Sequence, residues 1–242
     1  MQAPMNIRYM YILLLLSIFS VSFSNACSKS KETLSISTST PTPSPIHILA
    51  DSTKSMSSLK SYQFSLSHRM GNGSKIDQSL TLVSALGSVS RGNGISLESN
   101  LLFGNIPVSA GIVKTKDSTY LRDPLTQKWQ VWPEGSNPFD FLDPDKMITS
   151  ILDGLSGPTL LSSRDGFFKI SGQIAAPSFD YIFQDTLNEE ANLTVWIDSN
   201  SLVITRAEIV GRISEMDPDE MIRVLEISRF DEVLEIATPE IK

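Results

Sequence analysis

The sequence predicts an α+β domain made mainly of antiparallel strands, standing behind a short apolar leader and a polar tether. Three observations carry this. From Ser61 onward apolar residues recur with period two, as Tyr62, Phe64 and Leu66 do with Gln63, Ser65 and Ser67 between them. Turn clusters such as Gly71-Asn72-Gly73, Gly92-Asn93-Gly94, Asp165-Gly166 and Asp198–Asn200 punctuate the pattern. Only three short segments carry helical spacing instead.

The leader comes first. Arg8 precedes the uncharged stretch Tyr9–Phe23, which holds Ile12-Leu13-Leu14-Leu15-Leu16, and the small residues Ser24, Asn25 and Ala26 lead to Cys27. A short positive start, an apolar core and small residues before a cleavage point make a secretory signal. A cysteine directly after that point reads as a bacterial lipoprotein signal, whose thiol is acylated. Ser24 departs from the aliphatic residue usual at its position. The apolar run is short of the roughly twenty residues a spanning helix needs. Residues 1–26 are therefore read as the signal, and Cys27 as a diacylglyceryl- and palmitate-bearing anchor to the cell membrane on its extracytoplasmic side.

Ser28–Pro45 is dominated by Ser, Thr, Lys and Pro. Such a stretch buries too little apolar surface to offset its ordering entropy, so residues 27–45 form the anchor and a solvated tether. The domain takes residues 46–242.

Within it, Ile46–Leu59 reads as an amphipathic helix. Strands follow from Ser61, over Ile76–Leu86 and Ser88–Arg91 with a bend at Gly87, and over Ile95–Phe103, Val108–Lys116, Thr119–Arg122 and Lys128–Val131. Trp132–Asp145 breaks the pattern with three prolines and with Phe139 and Phe141, which serve either as a rim or as pins for a long loop. Asp143 and Pro144 open a helix to about Leu152, ended by Gly154 and Gly157. Thr159–Ser163 and Phe167–Ile174 are strands, Pro177–Gln184 is a third short helix, and Ala191–Ile197, Leu202–Ile213 and Met221–Phe230 close the sheet. Three short helices cannot cover so large a sheet, which hints at an open interior.

Composition narrows the chemistry. The 242 residues carry a formal charge of −7, and loss of the leader removes Arg8 and no acid. That balance argues against nucleic acid and against a polybasic grip on anionic lipid. Cys27 is the only cysteine, so no intrachain disulfide exists and the core must hold the fold. His47 and His68 stand apart from any acid-rich or cysteine motif, so no metal site is expected. No Gly-x-Ser-x-Gly elbow or phosphate loop occurs. Ser57-Ser58-Leu59-Lys60 fits Ser-x-x-Lys, but so does Ser28-Lys29-Ser30-Lys31 in the tether, and the companion motifs are missing. The acid pairs Asp143/Asp145, Glu189/Glu190 and Asp217/Asp219 read as caps, edges and turns. The reading is a non-enzyme without cofactor.

Several landmarks in order resemble a known family. Tyr120-Leu121-Arg122-Asp123-Pro124-Leu125-Thr126-Gln127-Lys128-Trp129 is similar to the tyrosine-to-tryptophan hairpin of the LppX/LprG-type lipoproteins of mycobacteria and related bacteria. Leu193-Thr194-Val195-Trp196-Ile197-Asp198 resembles a late strand of that family, and Ile227-Ser228-Arg229-Phe230-Asp231 its closing one. The resemblance runs from Ile46 to Pro239. It implies a strongly curved antiparallel half-barrel with short helices on its concave face, enclosing an apolar cavity. It further implies a carrier that binds acylated lipid or glycolipid and moves it within the cell envelope, with a lipid exporter as a possible partner.

The family has no fixed cavity motif, so lining residues come from the pattern of this chain: Tyr62, Phe64 and Leu66; Met147, Ile148, Ile151, Leu152, Phe179, Ile182 and Phe183; and Leu193, Val195 and Ile197. Taken singly, such stripes also make a filled core. A non-catalytic lipoprotein that scaffolds an envelope complex is the alternative function.

Overall fold

In the computed structural model, which describes residues 43–76, 78–133, 144–180 and 186–241, the chain is organised around one open antiparallel sheet. These residues belong to a compact unit, Thr42–Lys242. The leader, Cys27, most of the tether, Phe139, Phe141, Ile182 and Phe183 lie outside the described residues, as does the side chain of Met147.

Helix α1 spans Pro45–Ser58. Proline suits its first turn, where an amide hydrogen would have no partner, and Ile48, Leu49, Ser52 and Met56 form its buried stripe. Six strands then meander: β1 Ser61–Met70, the short β2 Ser74–Lys75, β3 Leu80–Ser90, β4 Gly94–Phe103, β5 Ile106–Thr115 and β6 Thr119–Arg122, with β7 Trp129–Val131 closing this half. Helix α2, Pro144–Asp153, leads straight into β8 Leu155–Arg164. Strands β9 Phe167–Ala175, β10 Glu190–Asp198, β11 Ile204–Val210 and β12 Ile222–Ser228 form the second meander.

The sheet order is β7-β6-β5-β4-β3-β1-β12-β11-β10-β9-β8, with β2 paired to β3. Strand β12 thus returns to β1 and welds the two meanders along the middle. The result is a curved α+β half-barrel, not a closed one, whose edges are β7 and β8. Strand twist and bulges in β1, β3, β8 and β11 supply the curvature.

Four expectations shift. β3 begins at Leu80 rather than Ile76, because the Ile76 amide bonds the Leu80 carbonyl at 2.9 Å and so faces the start of the strand instead of lying in it. β8 begins at Leu155, four residues early; it is an edge strand, where Gly157 and Pro158 are tolerated at a bulge. The last two strands are shorter than the apolar pattern, since Leu202 (φ 59°) and Arg229 (φ 55°) take left-handed backbone. Where the third helix is expected to begin, Ala176–Phe179 is a 3₁₀ turn, and the rest of that predicted helix, residues 181–184, lies outside the described residues.

Candidate functional site

Alternation divides the sheet into an inner face, which meets the helices, and an outer face. On β10, Leu193, Val195 and Ile197 point inward and are fully buried. Their inner-face partners are Gly172, Ile170 and Phe168 on β9 and Ile209, Ala207 and Ile204 on β11. From the helices, Ile48, Leu49 and Met56 of α1 and Ile148, Ile151 and Leu152 of α2 pack into the same cluster, with Phe179 beside them. Tyr62 and Phe64 extend it onto β1.

The described candidates therefore come together. Tyr62, Phe64, Ile148, Ile151, Leu152, Phe179, Leu193, Val195 and Ile197 belong to one contiguous buried cluster, while Leu66 is half-buried. That cluster lies over β9 to β1 and anchors both helices. α1 is held at its C-terminal end, where the guanidinium of Arg91 donates to the Met56 and Ser57 carbonyls at 2.9 and 2.6 Å. A cation on the last carbonyls complements the helix dipole. The Ile204 amide donates to the Met56 sulfur at 3.3 Å, tying the same helix end to β11.

The inner face continues past this core onto β3, β4 and β5, with residues not singled out beforehand. Register pairs Gly87 with Leu97 and Leu97 with Ile112; further along, Leu101 faces Val108 and Phe103 faces Ile106. Between these larger pairs lies a rung of small residues, Ala85, Ser99 and Ala110. The inner face thus carries bulky apolar pairs around a shallow place where side chains are short. Period-two spacing of Ile95, Leu97, Leu101 and Phe103 was the available signal.

A buried polar cluster closes one end. Arg223, 3% exposed, pairs through Nη2 with Asp217 Oδ2 at 2.5 Å and donates Nε–H to Ser74 Oγ at 2.8 Å. Ser74 Oγ and the Val83 carbonyl lie 2.8 Å from the two ring nitrogens of His68. A carbonyl can only accept, so Nδ1 carries a proton, and Nε2 shares a hydrogen bond with the Ser74 hydroxyl. Burial lowers the pKa of His68 below the ordinary 6.5, the Val83 carbonyl raises it, and Arg223 and Asp217 act in opposite directions. Burial likewise lowers that of Arg223 against the pull of Asp217. Asp217 also accepts the Ile213 and Ser214 amides, which clamps the turn before β12.

The outer face is polar. One rung of direct partners crosses it from β9 to β7: Lys169, Trp196, Arg206, Glu226, Ser65, Leu86, Glu98, Gly111, Arg122 and Trp129. Lys169 and Arg206 sit 4.8 and 5.1 Å from the Trp196 ring centre, and Arg122 sits 5.6 Å from that of Trp129. Gly111 leaves room for Arg122 to reach Glu98. Two hollows lie here, of about 520 Å³ over Ser65, Ser84, Glu98, Asn100, Ser109 and Arg122, and about 470 Å³ over Ser156, Thr159, Ser171, Gln173, Asn192 and Thr194. Both linings are mixed: Leu66, Ala85 and Leu86 join the hydroxyls and charges of the first, and Leu161 those of the second.

This architecture matches solved structures. The crystal structure of LprF from Mycobacterium bovis superposes with a TM-score of 0.60 at 19% identity, covering 82% of this chain and 98% of that one. Lipoprotein LppX from Mycobacterium tuberculosis matches with a TM-score of 0.53 at 17% identity, covering 80% of this chain and 98% of that one. This chain has the LprF/LppX fold. No protein-family model matches the sequence, and no curated protein matches it either.

The LprF/LppX fold places the three landmarks at structural joints. Tyr120–Trp129 is the β6–β7 hairpin, whose turn is closed by Asp123 accepting the Leu125 and Thr126 amides at 3.0 and 2.6 Å. Leu193–Asp198 lies on β10, where Asp198 closes the next turn by accepting the Asn200 and Ser201 amides. In both turns those bonds, led by the Thr126 and Ser201 amides respectively, lower the aspartate pKa. Ile227–Asp231 ends β12, where Asp231 Oδ1 accepts the Lys60 amide at 2.6 Å and joins the sheet's exit to the α1–β1 junction. Among the described residues no group of histidine, cysteine, aspartate and glutamate is arranged to hold a metal ion.

Proposed function

We propose that the protein is a membrane-anchored lipoprotein that binds acylated lipid or glycolipid against its inner sheet face and carries it within the cell envelope. The observation that carries the reading is the inner face of β3–β5, where Leu97, Leu101, Val108 and Ile112 surround the short side chains Ala85, Ser99 and Ala110. Acyl chains fit such a surface: each methylene withdrawn from water contributes about 0.8 kcal/mol, so a long chain binds without many polar contacts. Leu66 stands at the border between this surface and the core, and the other described cavity candidates form that core beside it. Met147, Ile182 and Phe183 belong to the same proposed lining. The fold shared with LprF and LppX supports the reading, and no catalytic step is part of it.

Cys27 is the proposed anchor, with residues 28–45 as tether and 46–242 as the lipid-binding domain. A lipid exporter in the same membrane is the proposed partner. Anchoring on the extracytoplasmic side puts donor and acceptor lipid in reach.

The test is native mass spectrometry of the purified protein followed by organic extraction. A mass increment that disappears on denaturation, with acylated lipid in the extract, is expected. Bare protein that takes up no added acyl lipid would overturn the reading.

A second reading, a non-catalytic scaffold within an envelope complex, draws on the outer rung of charges and tryptophans between Lys169 and Trp129. Substituting Arg206 and Arg122 together would break such a complex and leave lipid retention unchanged.

A further inference from the structure

Large apolar side chains stand in solvent at one end of the first meander. Met70 closes β1, Phe103 closes β4, Ile106 opens β5 and Leu125 lies in the β6–β7 turn, all exposed. Antiparallel register brings these four to the same end of the sheet. Phe103 and Ile106 are direct partners across the β4–β5 hairpin, 52% and 63% exposed. The tip is held in place, because pairing runs unbroken to its last residues and the Gly104 amide donates to the Ser79 carbonyl at 2.7 Å. A contiguous exposed apolar patch on an ordered element marks a contact surface.

These two side chains also head a file. Behind Phe103 and Ile106 on the inner face come Leu101 with Val108, then Ser99 with Ala110, then Leu97 with Ile112. Exposure is more than half at the tip and drops to 7% at Leu101 and 9% at Ile112, while Val108, Ser99, Ala110 and Leu97 are half-buried. No charged residue occurs among these eight. At roughly 3.3 Å per residue, the file runs about 20 Å from solvent to the edge of the core.

We propose that the β4–β5 tip is the surface that touches the lipid bilayer, and that acyl chains pass between membrane and interior along this file. The proposal rests on the lipid-carrier reading above. A bilayer is the occupant the geometry favours over a protein. A stable protein interface withdraws about 800 Å² from each partner, far more than a two-residue turn and its flanking pair present. A few apolar side chains are enough to enter the acyl boundary of a membrane. The chain between Cys27 and residue 42 reaches about 50 Å when extended, which lets an anchored domain bring this end to the lipid surface.

The experiment places the full chain in donor vesicles of phosphatidylethanolamine and phosphatidylglycerol and follows pyrene-acyl phosphatidylglycerol into acceptor vesicles. The variant Phe103→Ser/Ile106→Ser is compared with Val233→Ser, an exposed apolar residue in the C-terminal tail. The tip variant is expected to transfer at least tenfold more slowly while its co-purifying lipid, read by native mass spectrometry, is undiminished. The control transfers like wild type. As an independent measurement, Phe103→Trp should show a blue shift of the added tryptophan emission on mixing with vesicles, quenched by brominated acyl chains. A tip variant as fast as wild type, an equal slowing in the control, or an unshifted emission spectrum from Phe103→Trp overturns the bilayer contact and leaves the carrier reading standing. Wild-type protein that retains and transfers no lipid overturns both.

Discussion

The ring of Phe64 rests on the bare backbone of Gly87, its direct partner on β3: a Cβ built there would stand 2.2 Å from Phe64 Cζ. The glycine leaves a seat for an aromatic ring where the helix-covered core meets the inner face of β3–β5. Trp129 uses Gly111 similarly on the outer face, where an added Cβ would lie 2.8 Å from the indole. Gly87→Ala must displace Phe64, and overpacking of this kind costs about 1–3 kcal/mol. Urea unfolding of the variant checks it; a loss well below that range would mean the ring moves aside freely.

Arg223 and Asp217 form a buried pair, and removing either partner strands the other charge. Arg223→Ala or Asp217→Ala is expected to destabilise by about 3–5 kcal/mol. The double variant should lose less than the sum of the two, because neither charge is then left alone. Additive losses in a double-mutant cycle would show that the pair is not coupled.

His68 ties stability to pH. Its folded pKa lies below the ordinary 6.5, with burial as the leading cause. The unfolded chain therefore binds the proton more readily, so the contribution of the neutral ring is full above about pH 6.5 and is lost as pH falls from there toward the folded pKa. Unfolding free energies measured from about pH 8 to about pH 5 should decline in the lower half of that range in the wild type. His68→Gln should flatten that part of the curve. An identical decline in the variant would move the effect to other groups.

Val108 lies half-buried in the apolar file of the proposed lipid surface. Val108→Asp puts a charge where acyl chains would lie, and withdrawing a carboxylate from water costs far more than an acyl chain packed against it returns. Native mass spectra of the variant should lack the lipid increment seen in wild type, with the unfolding midpoint little changed. Full retention of lipid would place the binding surface elsewhere.

Cys27→Ser should abolish incorporation of radiolabelled palmitate and shift the protein from the membrane fraction to the extracytoplasmic soluble fraction. Palmitate still bound covalently would exclude Cys27 as the anchor.

Much of the fold was legible because strand chemistry is local. Period-two spacing in Tyr62, Phe64 and Leu66 reports a face, and Asp198–Asn200 reports a turn, whatever lies across the sheet. Errors fell where backbone conformation overrode composition. Leu202 and Arg229 look like strand residues but take positive φ, and Gly157 looks like part of a helix stop but sits in an edge strand. Gly87, read as a bend, is the seat of Phe64. That role depends on a residue in another strand, beyond the reach of a local pattern.

By itself the sequence determined the run of strands and most of their turns, and that an acidic chain with one cysteine must rely on its own core. Tertiary structure decided how the apolar residues divide. It put Leu193, Val195 and Ile197 under the helices, left Leu97, Leu101 and Val108 on the inner face beyond that core, and brought Phe103 and Ile106 into solvent. It also joined His68, Ser74, Asp217 and Arg223 from distant segments into one network. Side-chain direction is set locally by the pleat, whereas burial depends on which strands become neighbours and where two short helices come to rest.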